Sequence, residues 1–188
     1  MSHCEVWAYL FNLSFKSQRQ VLASGSNNKG YIMNIVSIAI SKKKGTRKKQ
    51  VLEADLIKNF GIKGDAHAGP WHRQVSFLSS ESIDLSKESG LDVTFGDFAE
   101  NIATKGIDWK NIPIGTRVGL GDFVKVEITQ IGKECHNKCA IYYKAGDCIM
   151  PREGVFARVL AGGKIRCGDT VFLDIPSLAD KADTRLKQ

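Results

Sequence analysis

Two stretches of this chain concentrate side chains that could do chemistry. The first, Gly132-Lys133-Glu134-Cys135-His136-Asn137-Lys138-Cys139, sets a thiol among two lysines, an imidazole and a carboxylate. Nearby positive charge lowers a thiol pKa from about 8.5, and the thiolate is the nucleophile and the metal ligand. Glu134 opposes that shift, and a cysteine is equally at home as a small buried hydrophobe, so both roles stand open for Cys135. The second stretch, Gly64-Asp65-Ala66-His67-Ala68-Gly69-Pro70-Trp71-His72-Arg73-Gln74, brings two imidazoles, a carboxylate and a guanidinium among residues that bend the backbone. Such a loop suits a polar ligand better than a helix or a central strand.

Metal binding is the first chemistry to test. Cys135-x3-Cys139 and His67-x4-His72 each match half of a tetrahedral zinc pattern. Their order argues against it, because the histidine pair precedes the cysteine pair by more than sixty residues. Turn-stabilising hydrogen bonds explain His67 and His72 as well, and stacking beside Trp71 and Arg73 explains His72 best. A third segment, Phe95-Gly96-Asp97-Phe98-Ala99-Glu100-Asn101-Ile102, places carboxylates and an amide beside a turn. These could bind the edge of a heterocycle or simply cap the turn.

The elements that position these groups read mostly as strands. Met33–Ile40, Val75–Leu78, Arg117–Leu120, Phe123–Ile131 and the region of Val171, Leu173 and Ile175 are strand candidates, with Phe123–Ile131 alternating apolar and polar residues. Five Gly-Asp pairs, beginning at Gly64, Gly96, Gly121, Gly146 and Gly168, supply turns that need a positive φ. Ser80–Ser89 reads as a short helix with a capping serine and Gly90 as its stop. Val155–Ala161 is expected to form a second helix. The expected architecture is mainly β: a closed or nearly closed barrel with a few short helices, since closure removes exposed sheet edges.

Composition narrows the function. A chain of 188 residues with 43% hydrophobic content can bury one ordinary core. The net charge of +7 comes almost wholly from Lys42, Lys43, Lys44, Arg47, Lys48 and Lys49. The basic character is therefore a patch, read as a solvated hairpin tip or an anion site for a phosphate or pterin-type group. No aromatic residue interleaves with these lysines, which argues against nucleic acid as partner. Five cysteines, an odd number, argue against a secreted disulfide framework and for free thiols in a cytoplasmic protein. No apolar run is long enough for a membrane span. Residues 1–32, ending in a polar Ser24–Gly30 stretch, are expected to be an extension to a domain over 33–176, followed by a polar tail at 177–188.

Taken together, Gly61-Ile62-Lys63-Gly64-Asp65-Ala66-His67-Ala68-Gly69, Arg73-Gln74-Val75-Ser76, Gly96-Asp97-Phe98-Ala99-Glu100-Asn101-Ile102, Pro113-Ile114-Gly115-Thr116-Arg117 and Cys135 resemble the MOSC domain. This is the C-terminal domain of molybdenum-cofactor sulfurases, also found as stand-alone bacterial proteins. The resemblance spans about Met33 to Ile175. It implies a fold like the pyruvate kinase β-barrel and a molybdenum-cofactor (molybdopterin) site lined by Asp65, His67, Arg73, Asn101 and Arg117. It also implies that Cys135 receives sulfur as a persulfide or ligates molybdenum, with Cys139 as a second thiol. The chain has no room for the pyridoxal-phosphate desulfurase domain of the fused sulfurases. A separate cysteine desulfurase, carrying the pyridoxal phosphate, or a molybdenum enzyme awaiting cofactor is the expected partner. Two other functions remain open: a cofactor-dependent reductase of N-hydroxylated compounds, and a non-catalytic binding module with a structural metal or anion site.

Overall fold

The computed structural model describes residues 33–133, 142–143 and 148–175. The expectations for residues 1–32 and 177–188, and those for Cys135, Cys139 and Gly146, lie outside the described residues.

Eleven strands dominate the described residues, with short helices between them. The strands are β1 (Asn34–Ile40), β2 (Lys49–Val51), β3 (Glu53–Ile57), β4 (Gly61–Ile62), β5 (Val75–Ser79), β6 (Ile102–Lys105), β7 (Arg117–Leu120), β8 (Val124–Ile131), β9 (Val155–Ala161), β10 (Gly163–Arg166) and β11 (Val171–Asp174). Helix α1 spans Ser80–Glu88 and α2 spans Met150–Glu153, with a 3-10 turn at Trp109–Asn111. An eight-stranded sheet runs β11-β7-β8-β9-β5-β6-β1-β2, and a three-stranded sheet runs β10-β3-β4.

The fold is mainly β, but the ladders do not close into the expected barrel. Strand β1, seventh in the sheet, meets the residues leading into β11 only at an isolated bridge between Asn34 and Thr170. Three backbone bonds support that meeting: Ile35 N–H to the Asp169 carbonyl, Gly168 N–H to that of Ile35, and Val171 N–H to that of Met33.

Strand β5 is buried along its whole length. It pairs parallel with β6 and antiparallel with β9. A parallel neighbour requires a crossover, which α1 provides. The Ser79 hydroxyl caps α1 by accepting from the Ser82 N–H at 3.1 Å, and Gly90 ends the turn beyond it at φ +96°. Gly64, Gly96, Gly121 and Gly168 all take positive φ, as the Gly-Asp turns require.

Two expectations need correction. Val155–Ala161 is strand β9, not a helix: Ala157 sits opposite Val75 and Ile128, and Val159 opposite Val126, so both edges are paired. Seven residues rich in Val, Phe and Leu between glycines fit a pleated, two-sided burial better than one helical face. The free-thiol expectation fails at Cys167, which is disulfide-bonded.

Two apolar clusters hold the sheets. The larger includes Ile35, Phe77, Trp109, Val126, Ile128 and Ile165. The smaller packs Leu78, Ile83, Phe98, Cys148, Met150 and Phe156 beneath α1. The edge of the smaller cluster borders the candidate site.

Candidate functional site

The loop 64–74 is organised around Asp65. This buried carboxylate accepts from the Ser41 N–H at 2.9 Å, from Lys48 Nζ at 2.5 Å and from the His67 N–H at 2.9 Å. Burial alone would raise its pKa. The bonds from His67, Lys48 and Ser41 outweigh burial and hold the carboxyl well below the usual carboxylate range. Burial likewise lowers the pKa of Lys48, against the pull of Asp65 and Glu100.

Lys48 is the residue that its own sequence context concealed. It belongs to the basic run, yet only 4% of it is exposed. Its backbone explains why: the Lys48 N–H donates to the Gly96 carbonyl at 2.9 Å, docking the strand against the 95–102 turn. Gly96 has φ +91°, and a Cβ there would collide with the Lys48 carbonyl oxygen. Arg47 reaches the same turn through an ion pair with Asp97 at 3.3 Å. The basic hairpin between β1 and β2 is thus clamped over the loop by two ion pairs.

A pocket opens beside this network. His67, Trp71, Arg73 and Lys133 supply its polar rim, and Phe98, Cys148, Met150 and Phe156 its apolar wall; Gly45, Ser76, Ala99 and Asn101 complete the lining. His67 Nδ1 lies 3.3 Å from Lys48 Nζ and 3.4 Å from Asp65 Oδ1, so this ring nitrogen faces the buried ion pair. The Trp71 indole N–H donates to the His67 carbonyl at 2.8 Å, pinning both residues. The Arg73 guanidinium lies 4.7 Å from the Trp71 ring and 5.8 Å from that of Phe156. Its Nε is buried without a hydrogen-bond partner among the described residues. A buried donor left unmatched costs about 1–3 kcal/mol, a cost that a bound acceptor removes.

The residues expected in the site divide accordingly. His67 and Arg73 face the pocket, while Asp65 stands behind His67 as its support. Asn101 lines the pocket, but its amide is already engaged: Oδ1 accepts from the Ser76 N–H and hydroxyl, and Nδ2 donates to the Ala39 carbonyl at 3.1 Å. It braces β5 against β1. Arg117 is exposed on β7 opposite Glu127 and is not among the lining residues. His72 bonds Gln130 at 3.0 Å, separately from His67. Asp97 caps its turn by accepting from the Thr94 N–H, and the Glu100 carboxylate accepts from the Gly96 N–H at 2.5 Å. Among the described residues, no group of three His, Cys, Asp or Glu side chains is arranged to hold a metal ion. Cys148, Met150 and Phe156 escaped sequence reasoning because apolar residues at a pocket wall carry the same local pattern as core residues.

Cys135 lies outside the described residues; Lys133 and Cys148 both line the pocket.

A model of the MOSC domain family matches residues 64–172, more than half of the chain, and the chain belongs to that family. The family is generally linked to molybdenum-cofactor-related proteins. Among solved structures, the YuaD protein from Bacillus subtilis is similar, with 16% identity and a TM-score of 0.64, covering 78% of this chain and 98% of that one. YiiM from Geobacillus stearothermophilus matches at 21% identity and TM-score 0.60, over 79% of this chain and 78% of that one. YiiM from Escherichia coli matches at 19% and 0.54, over 77% and 71%. At these identities the likeness establishes the fold. A comparison with curated proteins finds no match.

Proposed function

We propose that this chain is a molybdenum-cofactor-binding sulfur-carrier domain in which Cys135 receives sulfur as a persulfide. The observation that carries this reading is a cationic, apolar-backed pocket whose lining includes Arg73, Lys133 and Cys148. The residues present suit an anionic pterin. Arg73 offers a buried unmatched donor, His67 and Lys133 add polar and positive groups, and Phe98, Met150 and Phe156 offer apolar surface for a ring. When bound, the cofactor would supply a soft metal centre able to accept sulfur.

In the transfer, the Cys135 thiolate attacks the terminal sulfur of a persulfide on a partner cysteine desulfurase. One sulfur–sulfur bond forms at Cys135 as the donor's breaks, and the donor cysteine leaves as a thiolate, so no external oxidant is needed. The partner holds the pyridoxal phosphate. Lys133, two residues before Cys135 in the sequence, favours the thiolate through its charge, and His67, held by Lys48 and Asp65, adds a polar group to the pocket. A molybdenum enzyme is the acceptor this reading implies; delivery of the sulfane sulfur at sulfide level takes two electrons from a pair of thiols, which become a disulfide, and Cys135 leaves as the thiolate.

The test is expression in a molybdenum-competent host, followed by metal and pterin analysis and by mass spectrometry of Cys135 after exposure to a cysteine desulfurase and cysteine. The expected result is bound pterin and an added sulfur on Cys135, both reduced in Arg73→Gln and the sulfur absent in Cys135→Ser. Bound cofactor with turnover of a hydroxylamine compound and no persulfide would replace this reading with the reductase.

A further inference from the structure

We propose that the hairpin joining β1 to β2 is a second anion subsite at the mouth of the pocket, one that takes the phosphate groups of a small phosphorylated ligand. This rests on the pocket being a ligand site, as in the function proposed above, but names a different set of residues.

Among the described residues, the hairpin carries positive charge that no carboxylate cancels. Asp65 is engaged by Lys48, and Asp97 by Arg47. That leaves Lys42, Lys43 and Lys44 exposed, and among the described residues none of the three pairs with a carboxylate. Three adjacent ammonium groups repel one another, and a bound polyanion relieves that repulsion.

Their placement is directed. Lys44 Nζ lies 5.8 Å from the centre of the Trp71 ring, and Lys42 Nζ lies 3.4 Å from where a Cβ on Gly64 would stand. Both ammonium groups therefore lean over the site loop rather than away from it. Gly45, at the hairpin tip with φ +73°, itself lines the pocket. The two ion pairs at the hairpin base hold its backbone in place before any ligand arrives, which lowers the entropy cost of binding.

The chemistry favours a small molecule over a nucleic-acid strand. The lysines carry no interleaved aromatic residues on which successive bases could stack, and they border a concave pocket walled by Phe98 and Phe156. A ligand of matching form has a compact body for the pocket and two or more phosphates for the hairpin.

The test titrates inorganic tripolyphosphate into the full chain by calorimetry, at low and at physiological ionic strength. The natural chain is expected to bind, and the triple variant Lys42→Gln, Lys43→Gln, Lys44→Gln to bind about tenfold more weakly or less, with an unchanged melting temperature. A control triple variant at Lys58, Lys105 and Lys125, all exposed elsewhere, is expected to bind like the natural chain. The proposal is overturned by absence of binding to the natural chain, or by equal weakening in both triple variants. It is also overturned if single-stranded RNA displaces tripolyphosphate with an affinity that grows with strand length. Tripolyphosphate binding is read independently of cofactor content and of Cys135 persulfide, so failure of the sulfur-carrier reading would leave this result intact.

Discussion

Asp65 and Lys48 form a pair whose members depend on each other. Both side chains are almost wholly buried, and Asp65 also satisfies the backbone at Ser41 and His67. Removing one charge strands the other in a medium that solvates it poorly. Asp65→Asn should therefore cost about 3–5 kcal/mol in urea-induced unfolding, and Lys48→Met combined with Asp65→Asn should cost less than Asp65→Asn alone. A double variant no more stable than the single one would show that Lys48 finds another partner. Legibility at this scale follows whether a residue's role is local. His67, Asp65 and Arg73 stood out because their types and spacing mark a polar loop. Lys48 did not, because its burial is imposed by the Gly96 carbonyl, far along the chain, and nothing in the local composition separates it from its exposed neighbours Arg47 and Lys49.

Among the elements, the 95–102 turn holds the hairpin and the pocket wall together. Gly96 carries two requirements at once, a positive φ and an approach to Lys48 too close for any side chain. Gly96→Ala should lower the melting temperature and, by lifting the hairpin, weaken ligand binding, whereas Ser79→Ala, which only uncaps α1, should cost about 1 kcal/mol and leave binding alone. Equal effects of both substitutions on binding would refute this division. The sequence showed strands β1, β5, β7 and β8 through alternation or apolar runs. Strand β9 read as a helix, because a short run bounded by Gly154 and Gly162, apolar except for Arg158, satisfies either period until its neighbours are known.

At the scale of the whole molecule, two buried carboxyls bend the pH dependence of stability in opposite directions. Burial pushes Glu100 up from 4.5 to about 7, with Asp97 adding to it and the Gly96 N–H and Lys48 opposing. Its contribution is complete below pH 4.5 and is lost as pH climbs through 7, on the order of 3 kcal/mol. Asp65 does the reverse: its contribution is present above its ordinary value of 3.8 and lost as pH falls toward its depressed folded value. These two groups together favour a stability maximum in mildly acidic solution. Glu100→Gln should flatten the decline between pH 4.5 and pH 8 in thermal unfolding, and an unchanged slope would assign that decline elsewhere. The mainly β class was legible from turn frequency, but the strand order was not, since β9 between β5 and β8 and β6 beside β1 are pairings across long stretches of chain.

The meeting of β1 with the approach to β11 bears on how the protein reaches this state. The Val171 N–H donates to the Met33 carbonyl at 2.8 Å, and Asn34 bridges Thr170, so the first and last described strands touch only after everything between them has been gathered. Loop closure of that length is costly before its contacts reward it, and chains dominated by such contacts fold slowly. During synthesis, β1 must wait for nearly the whole domain to leave the ribosome before its final neighbour exists. That interval leaves the Met33–Ile35 end of β1 without its partner on one side, and it is when a nascent copy is most open to aggregation or chaperone capture.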